Sequence, residues 1–181
     1  MSVEYAVVRV PGHEFDAIRR GGERLPALMD DWYASPDAID SRAACRAGLP
    51  REVAAPLLLH SDEFTTSLLV SFLEGEETPM FDALVGRGRS RQLEGVVYGA
   101  GTVAYYTPSD AASVAQQLDR FPDAELDRRL PDRADQARLA AASVFADDDA
   151  ILAHQRAFAH VLRQLYRAAV QAQEFVLLMI V

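Results

Sequence analysis

The sequence predicts an α+β fold: a single compact domain over residues 1–181, with a small mixed β-sheet packed by several helices. Three observations predict it. The chain opens and closes on β-prone apolar runs, Val3 to Val10 and Phe175 to Val181. A strand-like stretch passes directly into a helix start at Thr107-Pro108. A long amphipathic run after Asp147-Asp148-Asp149 then leads back to the closing strand. Half of the residues are apolar and a quarter charged, as in a soluble globular protein. A chain of 181 residues can bury about 70% of its unfolded surface, so one core suffices.

Val3 to Val10 is the first strand and ends at Pro11-Gly12. His13 to Arg20 follows as a short helix, with Phe15 and Ile18 on one face, and Gly21-Gly22 stops it. Residues 23–56 are the least legible and form a variable excursion. Leu25, Leu28 and Trp32 fit a helical face there, while Ser35-Pro36-Asp37 and Gly48-Leu49-Pro50 read as turns. Ser61 or Asp62 caps a helix running to Glu74, with Phe64, Leu68 and Phe72 repeating every four residues. Thr78-Pro79 opens a short helix that Gly86 ends: threonine accepts an early N–H, and proline suits the first helical position.

Gly86 to Gln92 is read as a basic connecting loop. Val96 to Tyr98 and Thr102 to Tyr106 are strand-like, and Gly99-Ala100-Gly101 between them is either a bulge or a tight turn. Thr107 caps the next helix, with Asp110 at its third position. Ala111, Val114, Ala115 and Leu118 make its buried stripe, and Phe121-Pro122 breaks it. Three carboxylates, Asp147 to Asp149, open the last helix at its positive end. Ile151, Phe158, Val161, Leu162, Leu165 and Ala169 trace its buried face. The closing strand is apolar on both faces, so it belongs inside the sheet rather than at its edge.

Composition excludes several function classes. Net charge is −9, which disfavours binding to a phosphate backbone, so no nucleic-acid partner is expected. All 18 basic residues are arginine, and lysine and asparagine are absent. Both have adenine-rich codons, which points to a GC-rich genome. Without lysine, neither a Schiff base nor a phosphate loop is available. Cys45 stands alone, so no intrachain disulfide or cysteine metal cluster forms. No apolar run reaches membrane-spanning length and no leader is evident, so a cytoplasmic protein is expected.

His60, Asp62 and Glu63 form the densest cluster of ligand-type residues. An imidazole beside two carboxylates suits acid–base work or a divalent cation. The competing reading is a helix start, where Ser61, Asp62 and Glu63 favour the dipole. His154 lies among the apolar positions of the last helix and is read as a core histidine or a site residue. His160, six residues on, points about 240° away, so the two do not share a metal. No metal and no cofactor are expected. Tyr105 and Tyr106 face opposite sides of their strand, so one is read as core and the other as either sheet packing or a binding surface. Trp32 is a further binding candidate. Arg87, Arg89 and Arg91 lack the interleaved aromatics of an RNA site and are read as a solvated connector.

Several segments together resemble the YfbM-like family of bacterial proteins. Arg9-Val10-Pro11-Gly12-His13-Glu14-Phe15 resembles its strand-to-helix opening. Pro79-Met80-Phe81-Asp82-Ala83-Leu84-Val85-Gly86 resembles its proline-led short helix. Gly101-Thr102-Val103-Ala104-Tyr105-Tyr106-Thr107-Pro108 resembles its strand before a Thr-Pro helix start. Leu165-Tyr166 and Val176-Leu177-Leu178 resemble its closing helix and strand. The chain departs from the family at Thr66-Ser67, where a Trp-His pair is usual, and at Ala104, where arginine is usual. The resemblance implies the α+β fold and a bacterial protein without an established reaction. The expectation is therefore a non-enzymatic binding or protein-interaction module, monomeric or homodimeric, with an unidentified protein partner. The alternative is a small-molecule binder or hydrolase-like enzyme with a pocket built from His60, Asp62, Glu63 and His154.

Overall fold

The closing apolar run takes the central position that its composition demands. β6 (Phe175–Ile180) has β1 (Tyr5–Val10) on one side and β5 (Gly101–Tyr106) on the other, both antiparallel. The computed structural model describes residues 4–40, 55–61, 78–86, 90–99, 101–125, 127–128 and 148–181. Within them the sheet has six strands in the order β2-β3-β1-β6-β5-β4. β2 is Ala38–Asp40, β3 is Leu58–Ser61 and β4 is Arg91–Tyr98. β2 runs parallel to β3 and the other neighbours are antiparallel, which makes the sheet mixed.

Helices cover both faces. On the first face lie α1 (Gly12–Arg20) and α2 (Leu25–Tyr33), joined by a 3₁₀ turn at Gly22–Arg24. Phe15, Ile18, Leu25, Met29 and Trp32 from this layer close on Ala6, Val8, Leu58, Val103, Leu177 and Met179. On the second face lie α3 (Pro79–Val85), α4 (Pro108–Arg120) and the long α5 (Asp148–Ala172). Their apolar sides bury Val7, Leu59, Ala104, Tyr106, Val176 and Leu178. Alternate residues of β1, β2, β3, β5 and β6 thus feed two separate cores, as a period of two requires. The α+β architecture is the one predicted.

The signals at Thr78, Gly86 and Thr107 act as read. Thr78 accepts the Phe81 amide at the head of α3, and Gly86 ends it in the left-handed conformation. Thr107 and Asp110 form a reciprocal capping box on α4. Phe15 and Ile18 are buried on α1, and the predicted stripes of α4 and of residues 158–169 of α5 are buried.

Two local readings are corrected, and one strand is added. Leu58–Ser61, given no element in the sequence, is a strand, so Ser61 ends β3 and is buried, with His60 beside it in the sheet. Ala38–Asp40 is a strand inside the segment read as helical or irregular. β4 begins at Arg91 rather than Val96, because a register shift between Gln92 and Val97 lets the strand resume. That bulge, with Gly95 at φ 76°, turns both Leu93 and Val96 onto the first core. Between Tyr98 and Gly101 the chain makes a tight hairpin turn, the second of the two readings given to the glycines there. Residues 62–74 of the helix expected after Ser61 or Asp62, and residues 41–54 of the excursion, lie outside the described residues.

Candidate functional site

β3 carries His60, which the structure places beside both a carboxylate and an aromatic ring. Its neighbour β1 sets the register, with His60 opposite Ala6 and Ser61 opposite Tyr5. Leu58 and His60 therefore face α1 and α2, whereas Leu59 and Ser61 face α5. The His60 Nε2 atom lies 3.2 Å from Oε2 of Glu4, just before β1. The Tyr33 ring at the end of α2 meets the imidazole edge-on, with centroids 5.7 Å apart. The His60 side chain retains 15% exposure and that of Glu4 32%, so the pair is reachable from solvent. A carboxylate on one ring nitrogen orients the imidazole and selects its tautomer, a prerequisite for proton transfer at the other nitrogen. Glu4 was not among the residues singled out by sequence, and Asp62 and Glu63 lie outside the described residues.

His154 occupies a different layer. It is buried on α5, across the sheet from His60. The strand register turns His60 toward α1 and α2, whereas α5 packs on the other face of the sheet, so the two histidines belong to different layers. Beside His154, Gln155 is fully buried and both atoms of its amide lack a hydrogen bond.

The aromatic candidates go to the cores. Trp32 is 5% exposed and packs in the first core. Tyr106 is fully buried in the second, where its hydroxyl donates to the carbonyl of Asp82 at 3.0 Å. Tyr105 faces the first core, as the opposite orientation of adjacent strand residues demands. Its ring lies 4.9 Å from that of Phe15, which stacks on Phe175 at 3.8 Å. Tyr105 keeps partial exposure beside this stack and is the aromatic candidate nearest the surface. Neither Trp32 nor Tyr106 offers a surface for a ligand.

Tyr166 of α5 has the clearest electrostatic signature. It is fully buried, and its hydroxyl donates to the carbonyl of Ala83 at 2.6 Å. Burial, reinforced by Tyr106 and Asp82, pushes its phenol well above the ordinary value. The Tyr106 and Tyr166 rings meet edge-on at 6.2 Å. Together their hydroxyls engage two successive carbonyls in the last turn of α3. This is an end cap for a helix, made by two side chains distant in sequence.

Several arginines also have structural partners. Arg156, Arg163 and Arg167 of α5 pair with Asp127, Asp123 and Asp119, which descend α4 and the segment after it. The antiparallel order gives each arginine its own carboxylate. Arg163 additionally donates Nε to Leu118 O and Nη2 to Phe121 O, capping the end of α4. Arg91 lies 3.6 Å from Asp110, while Arg87 and Arg89 lie outside the described residues. Among the described residues, no group of three or more His, Cys, Asp or Glu side chains is arranged to hold a metal. None of their helices is long and apolar enough to cross a membrane. Compared with known proteins, the chain matches no family model, and neither a curated protein nor a solved structure is significantly similar to it.

Proposed function

We propose that the chain is a non-enzymatic binding or protein-interaction module of the YfbM-like type, acting in the bacterial cytoplasm on a protein partner. One observation supports this reading: among the described candidates, His60 faces α1 and α2 while His154 lies on α5 at the other face of the sheet, so these two do not share a pocket through the sheet. The polar groups around them support it. Tyr106 and Tyr166 serve α3, Arg163 serves α4, and the capping box uses Thr107 and Asp110. The net charge of −9 favours a basic partner over nucleic acid and gives long-range attraction that salt weakens.

The test is capture of partners by tagged protein from the source cell's lysate at low and high salt, followed by reconstitution with the purified candidate. The reading expects a saturable complex whose affinity falls with ionic strength. Repeated captures without a specific partner, together with a small molecule that stabilises the wild-type protein, would overturn it.

A second reading is favoured by the contact of His60 with Glu4 beside Tyr33. That arrangement suits a small polar ligand or a hydrolase-like proton transfer. Here a stabilising ligand found by thermal-shift screening must lose its effect in both His60→Ala and Glu4→Gln. A ligand that stabilises these variants as much as the wild type removes the site.

A further inference from the structure

We draw no further inference here: the strongest candidate, the uncovered face of the β4–β5 hairpin where Val97 is 69% exposed opposite Thr102, is a surface patch for which nothing in the structure shows what covers it.

Discussion

Tyr166 donates its hydroxyl to the carbonyl of Ala83 at 2.6 Å, so the long helix α5 closes the end of the short helix α3. Ala83 is among the last four residues of α3, whose carbonyls have no partner within the helix. Tyr166→Phe removes the donor while keeping the ring, and should cost about 1–3 kcal/mol. Tyr106→Phe should cost less, because Asp82 O also accepts the Gly86 amide at 2.8 Å. Urea unfolding of both variants checks the order. Equal losses would show that the Gly86 amide does not offset the hydroxyl lost at Asp82 O.

The same burial makes stability fall in alkali. Tyr166 is held protonated in the folded state above the ordinary phenol value of 10.0, whereas the unfolded chain ionises near it. The unfolded state therefore binds fewer protons above that pH, and stability declines as pH rises from there through the raised folded value. Below it the contribution is fully present. Tyrosinate absorbance should show one phenol titrating only with unfolding, and Tyr166→Phe should remove that late step. A late step retained in the variant would assign it elsewhere.

Arg163 should matter more than its neighbour Arg167. Its side chain is 12% exposed and serves two carbonyls and Asp123, while the Arg167–Asp119 pair is largely solvated. Arg163→Met should cost about 1.5–3 kcal/mol, and Arg167→Met about 0–1 kcal/mol. Arg163→Lys keeps the charge but cannot fork between Leu118 O and Phe121 O, so it should recover less than half of the loss. Chemical unfolding at low and high salt separates the two cases: only the Arg167 effect should vanish with salt.

Legibility followed the range of the signal. The caps at Thr78 and Thr107 use residues within one turn, so adjacent residue types disclosed them. The interior position of β6 was legible because Val176 to Met179 are apolar on both faces. β3 was not. Leu57-Leu58-Leu59 is too short a run to separate strand from helix. Its partners β1 and β2 come from distant segments, and no local spacing encodes that pairing. For the same reason the contact of Glu4 with His60 was invisible, since 56 residues separate them. The tyrosine cap on α3 is equally non-local. Tyr166 and Ala83 are 83 residues apart, so no local spacing discloses their contact.

Gly99 is fixed by contact as well as conformation. Its φ is 57°, and a Cβ there would stand 2.4 Å from Ile180 O. Gly95 has φ 76° but open space around it. Gly95→Ala should cost only the left-handed strain, about 1–2 kcal/mol. Gly99→Ala should cost clearly more, because the hairpin turn must also move away from the end of β6. Thermal unfolding of the two variants decides the matter. Equal shifts would mean the turn relaxes freely.

Gln155 occupies a position that its own helix reserves for apolar residues. It shares a stripe with Ala159, Leu162, Tyr166 and Ala169, all fully buried, yet both atoms of its amide lack a hydrogen bond. A buried amide without partners gives up its hydration and gains nothing in return. Gln155→Met keeps the length of the side chain and removes the polar atoms, so it should raise stability by about 1–3 kcal/mol. Gln155→Glu reverses the argument. Burial disfavours the carboxylate and raises its folded pKa above the unfolded value of about 4.3. The variant should fold best in acid and lose stability as pH rises through the folded value. Denaturant midpoints of both variants across pH give the answer. A Gln155→Met protein less stable than wild type would show that the amide is bonded in solution and that this stripe of α5 is polar by requirement.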